Sequence, residues 1–161
     1  MNNFSSCVID TSVIIKALFS PSHSHAGKTY SRELKTHKSC VALLAVLDDH
    51  GIEVFLPRCG IIEIAAVSTR LANPSVSEEI CNEVETSFTI VPEDRLIESA
   101  KKIALNEGCP GFDTYFIALS ELNSIPLFTD DLGMHRICER RTIRSWLLRD
   151  IDLKSIIPDL K

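Results

Sequence analysis

Asp10, Glu63, Asp113 and the pair Asp130-Asp131 are the positions in this chain whose type and setting could do chemistry. Asp10 closes the apolar run Cys7-Val8-Ile9, Glu63 stands inside Ile61–Val67, Asp113 opens Thr114–Leu119, and Asp130-Asp131 follow Leu127-Phe128-Thr129. Each Asp also has an ordinary structural use. An Asp after a strand caps the next helix by accepting its free N–H groups, which suits Asp10 and Asp113. A turn plus a cap suits Asp130-Asp131. Glu63 resists such a reading: apolar neighbours at every helical angle predict a helix buried on most sides, where an ionised carboxylate needs a counter-charge. No Lys or Arg lies three or four residues from it, so the partner is either a distant Arg or a bound cation.

Gathered at one crevice, Asp10, Glu63, Asp113 and Asp131, with Asp130 as second choice for the fourth acid, cannot all ionise unless cations lie between them. Oxygen-only donors suit Mg²⁺ or Mn²⁺, as one or two ions. Such a metal activates water and stabilises the leaving oxygen of a phosphodiester. Metal-assisted phosphodiester hydrolysis, with no covalent enzyme intermediate, is the chemistry expected.

The elements that must position these acids follow from the hydropathy pattern. Strands are expected at Phe4–Ile9, Ile52–Leu56, Phe88–Val91 and Pro126–Thr129. Helices are expected after Asp10, then over 29–50, 60–72, 75–87, 93–107, 113–122 and 133–146, with Gly51 and Gly108 as stops. Short apolar strands alternating with amphipathic helices predict an α/β fold of three layers, α/β/α, around a central parallel sheet. Ligands of such sheets bind outside the carboxyl ends of the strands, where Asp10 and Asp130-Asp131 fall.

With 161 residues, 45% hydrophobic and 24% charged, the chain is expected to form a single domain that buries a core without staples. A net charge of −5 excludes a protein whose main tool is a broad basic surface, but not a nuclease whose acidic site is neutralised by metal. The six cysteines stand apart without zinc-ligand spacing, which predicts free, mostly buried thiols in a reducing cytosol. Val41–Leu47 is far shorter than the roughly 20 residues that cross a bilayer, and residues 1–6 carry no basic signal region. A cytoplasmic location without membrane contact is expected.

In order and context these residues resemble the PIN domain, the fold of many small ribonucleases including toxins of the VapC type. Val8-Ile9-Asp10-Thr11-Ser12 resembles the first motif, and Leu56-Pro57 with Ile61–Val67 around Glu63 the second. Phe112-Asp113-Thr114 through Leu119 resembles the third, and Thr129-Asp130-Asp131-Leu132 the fourth, a strand ending in Thr-x-Asp. The resemblance spans about residues 7–144. It implies a Mg²⁺- or Mn²⁺-dependent endoribonuclease acting on RNA, with Asp131 in the acid position, a homodimer, and an antitoxin partner if the chain is a toxin. Thr11, Ser12 and Thr129 are candidate substrate contacts. The stretch Ser20–Lys38 is longer than compact toxins of this type carry.

Arg136, Arg140, Arg141, Arg144 and Arg149 crowd the last segment, and 136, 140 and 144 share one face of the expected helix. Arg136 and Arg140 are candidate contacts to an RNA backbone; a solvated face is the plainer alternative. Gly27-Lys28-Thr29 lacks the first Gly of a phosphate loop and reads as a helix start. His23 and His25 have no third ligand, and Trp146 reads as a packing residue. The rival function is a catalytically reduced PIN-fold or receiver-like regulatory or RNA-binding module. A receiver wants an acid pair after the first strand and a Lys after the last, where this chain has Thr11 and no Lys.

Overall fold

The computed structural model describes residues 3–24 and 27–160, so His25 of the His23/His25 pair lies outside the described residues. The sheet is built from β1 (Ser6–Ile9), β2 (Glu53–Pro57), β3 (Thr89–Val91), β4 (Leu127–Thr129) and β5 (Ser145–Leu147). The helices are α1 (Thr11–Leu18), α2 (Gly27–Asp49), α3 (Cys59–Leu71), α4 (Pro74–Ser87), α5 (Ile97–Glu107), α6 (Gly111–Asn123) and α7 (Leu132–Arg140). All strand pairings are parallel, in the order β3-β2-β1-β4-β5. The first strand lies in the middle, so the chain builds outward one way to β3 and then crosses to β4 on the other side. The crevice of such a sheet opens where that direction reverses, between β1 and β4. Asp10 follows one of those strands and Asp130-Asp131 the other.

The central strands β1 and β4 are buried because helices cover both faces, and their residues are accordingly mostly apolar. Cys7, Val8, Ile9, Leu56, Leu127 and Phe128 are fully enclosed. On the far side Phe128 stacks on Trp146 with ring centroids 4.7 Å apart, which bears out packing for the indole. Gly60 lets α3 approach the sheet closely: a Cβ there would lie 3.1 Å from both Leu56 and the Phe116 ring. Gly108 ends α5 with φ +62°, the left-handed turn that aims the chain into α6. These two glycines set where Glu63 and Asp113 emerge.

Several expectations are corrected. Helix α7 ends at Arg140 rather than Trp146, because Thr142 takes φ 56° and the chain turns into edge strand β5. Arg144 therefore does not share a helical face with Arg136 and Arg140. Phe4 lies outside β1 and makes a lone bridge to Leu160. The segment after Pro92 starts as a 3₁₀ turn, Glu93–Arg95, before α5. Helix α3 is less enclosed than its composition suggests: Cys59, Gly60, Ile64 and Ser68 are buried, but Ile62 is 62% exposed. The cysteines are free, with Cys7, Cys40, Cys59 and Cys138 buried, and Gly27-Lys28-Thr29 opens α2. No helix among the described residues is long and apolar enough to cross a membrane.

Candidate active site

Asp10 occupies the N-cap position of α1 yet makes no side-chain capping bond. Its carboxylate accepts hydroxyls instead. Thr129 Oγ1 donates to Asp10 Oδ2 at 2.8 Å, and Ser12 Oγ donates to the same oxygen. Thr11 Oγ1 donates to Glu63 Oε2 at 2.9 Å, tying α1 to α3. The candidate substrate contacts Thr11, Ser12 and Thr129 are thus all engaged in holding carboxylates. Thr129 Oγ1 also accepts the backbone N–H of Asp131 at 2.9 Å, so one hydroxyl joins the ends of β1 and β4.

Asp113 stands in the first turn of α6 and caps nothing; the N-cap there is Pro110. Asp131 does cap α7, accepting the Met134 N–H at 2.8 Å through Oδ1. Asp113 and Asp131 face one cleft of about 500 Å³, together with Arg136 and Arg140. A larger hollow of about 710 Å³ is lined by Phe4, Pro126 and Arg144, at the amino edge of the sheet and away from these acids.

The carboxyls of Asp10, Glu63 and Asp113 are each raised, with charges of the other acids contributing. Burial first, then the charges of Asp10, Asp131 and Glu63, push the Asp113 carboxyl up to about 7. Burial raises Asp10, against the hydroxyls of Ser12 and Thr129, with Asp131 adding to the rise. Burial likewise raises Glu63, with Thr11 opposing and Asp10 adding. Among the described residues no Lys or Arg forms an ion pair with any of the four, so the distant Arg considered for Glu63 is not there. All the donors are carboxylate oxygens, the set that hard divalent cations take. Among the described residues no group of three or more Asp, Glu, His or Cys side chains is placed to hold a metal ion together. Mg²⁺ retains several waters and is bound through only one or two carboxylates. The donor chemistry fits such an ion.

Asp130 points elsewhere. Its side chain has no solvent exposure, and it pairs with Lys16 at 2.5 Å and Arg149 at 3.0 Å. Of the late arginines, Arg140 pairs with Glu107, Arg141 with Glu121 and Glu107, and Arg144 with Asp159. Arg136 forms no ion pair among the described residues and is exposed. Lys16 was missed by the sequence reading although its signal matches that of Glu63: a lone charge inside the apolar stretch Val13–Phe19 needs a partner. Arg149 stood out in the sequence only as one of the late arginines, not as a partner of Asp130, and nothing there pointed to Glu107.

Comparison with known proteins agrees with this architecture. A crystal structure of FitAcB from Neisseria gonorrhoeae superposes with a TM-score of 0.57 over 90% of this chain and 99% of that one, at 17% identity, a likeness of fold. No curated protein matches the sequence. The PIN domain profile matches residues 7–140, a span that holds all four candidate acids and both strands of the crevice; the chain belongs to the PIN domain family, whose members are generally nucleases.

Proposed function

We propose that this PIN domain is a Mg²⁺- or Mn²⁺-dependent endoribonuclease, with Asp10, Glu63, Asp113 and Asp131 as its acid set. The observation that carries the reading is the state of Asp113: half-buried, under the charges of three other carboxylates and raised to about 7, with no Lys or Arg among the described residues in an ion pair with any of the four. Such a group of like charges is costly as a purely structural device and suits a site that takes up a divalent ion. When bound, the ion supplies positive charge for the attacking water and the leaving oxygen of the phosphodiester.

The chain's own residues do the remaining work. Thr129 and Ser12 hold Asp10 in one orientation through its Oδ2, and Thr11 does the same for Glu63. Asp131 is fixed by its cap bond to α7, which leaves Oδ2 as its second oxygen. Arg136, exposed at the cleft that Asp113 and Asp131 face, attracts the RNA backbone without reading its sequence. In the cell we place the enzyme in the cytoplasm, which its free cysteines support, as a homodimeric toxin restrained by an antitoxin, a part that rests on the VapC-type resemblance.

The test is cleavage of a mixed RNA pool by the purified protein with Mg²⁺ or Mn²⁺, with EDTA as control. Metal-dependent internal cleavage is expected. RNA binding without cleavage at saturating Mn²⁺ would favour the catalytically reduced module instead.

A further inference from the structure

Asp130 sits one residue before a proposed metal-site acid, yet it belongs to a different construction. Successive side chains leaving a strand point to opposite sides, and while Asp131 is exposed, Asp130 is enclosed. Every polar atom of Asp130 has a partner. Its N–H donates to Ser12 Oγ at 3.1 Å. Its carbonyl accepts Arg149 Nη2 at 2.5 Å. Oδ1 accepts the Arg149 backbone N–H at 3.1 Å and its Nε at 3.0 Å. Oδ2 accepts Lys16 Nζ at 2.5 Å and Arg149 Nη2 at 3.2 Å.

Lys16 is itself held. Lys16 Nζ also donates to Glu33 Oε2 at 2.9 Å, and the Lys16 carbonyl meets His37 Nδ1 at 2.6 Å. Glu33 and His37 both lie on α2, in the stretch that is long for a compact PIN domain. On the other side, the Ser12 hydroxyl that accepts the Asp130 N–H donates to Asp10. A continuous chain of contacts therefore runs from α2 through Lys16 and Asp130 to Ser12 and Asp10, while Asp130 leads directly into Asp131.

We propose that Asp130 is a positioning residue, not a metal ligand: clamped by Lys16 and Arg149, it fixes the carboxyl end of β4 and thereby the orientations of Asp10 and Asp131. The part concerning metal chemistry rests on the nuclease reading above; the clamp itself does not. Two cations on one enclosed carboxylate leave no room or charge for a third. Removing either cation loosens the turn, because a carboxylate without solvent must keep its partners.

Lys16→Met and Asp130→Asn test this, Lys16→Met being the milder change because the Lys16 side chain is 30% exposed and outside the acid set. Amide hydrogen exchange of the folded protein, compared residue by residue, reads the clamp without reference to activity. In Lys16→Met the Asp131 and Asp130 amides should exchange at least tenfold faster, with amides of α5 unchanged. Free Mn²⁺ measured by electron paramagnetic resonance should show both variants binding about tenfold more weakly. Their kcat for RNA cleavage should fall about tenfold with KM within twofold, and the double variant should be no worse than Asp130→Asn. Unchanged exchange at Asp131 in Lys16→Met would overturn the proposal. So would tighter Mn²⁺ binding in Lys16→Met, the mark of a ligand freed from a competing cation. A wild-type protein that neither binds Mn²⁺ nor cleaves RNA would instead contradict the nuclease reading, and the exchange result would still decide the clamp.

Discussion

Thr129, at the end of β4, donates its hydroxyl to Asp10, at the end of β1, across 2.8 Å. These residues are 119 positions apart in sequence and meet because β1 and β4 pair in parallel at the point where the sheet changes direction. The same Thr129 oxygen accepts the Asp131 N–H, so losing this hydroxyl disturbs two acids together. Thr129→Val, close in shape, should cost about 1.5–3 kcal/mol of stability, the range for a hydrogen bond to a charged group. It should also weaken Mn²⁺ binding, and Thr129→Ser should recover most of both. Chemical denaturation and Mn²⁺ titration of the two variants check this.

The raised acids give the metal-free protein an inverted pH response. Asp113 is raised from 3.8 to about 7, so it binds its proton more tightly folded than unfolded. The stability it contributes is complete below its unfolded value and is lost as pH rises through about 7. Asp10 and Glu63 act in the same direction. Glu33, lowered chiefly by its bond to Lys16, acts oppositely, losing stability as pH falls through its folded value. Thermal melts in EDTA should therefore show the wild type less stable at pH 7.5 than at pH 5.5, a slope that Asp113→Asn flattens. Adding Mn²⁺ at pH 7.5 should raise the wild-type melting temperature, because the ion binds the folded form.

Arg136 and Arg140 line the same cleft but are not equivalent, since among the described residues only Arg140 is held by a carboxylate, that of Glu107. Arg136→Gln should weaken binding of single-stranded RNA uniformly across sequences. It should also reduce the slope of log affinity against log salt by about 0.7, one phosphate contact. Arg140→Gln should change the slope less, because its charge is already neutralised. Fluorescence anisotropy with inactive protein over a salt series measures both.

The strand ends were legible in the sequence because an apolar run stopping at Asp, Thr or Pro has few other readings. That is why β1, β2 and β4 and the starts of the helices after them were found within a residue or two. Strand β5 was not legible. It is three residues long, and Arg136, Arg140 and Arg144 continue a helical spacing across a turn that Thr142 makes by adopting positive φ. The exposure of Ile62 was hidden for a related reason: composition shows that a helix is apolar, not which of its sides has a neighbour. The Lys16-Asp130-Arg149 contacts join residues 114 and 19 positions apart, and only the parallel sheet brings them together. The charge on Lys16 inside an apolar helix was the visible trace of that arrangement.

Mn²⁺ binding by the metal-free protein, followed through the free-ion paramagnetic resonance signal, tests most directly that the four acids act as one set. The wild type should bind saturably. Asp10→Asn, Glu63→Gln, Asp113→Asn and Asp131→Asn should each bind at least about tenfold more weakly, with RNA cleavage abolished in Asp10→Asn while its fold and metal-free melting temperature are kept or raised, as expected when one of several repelling charges is removed. Mn²⁺ binding and cleavage at wild-type level in Asp10→Asn would contradict the account and leave Asp10 a residue of the fold alone.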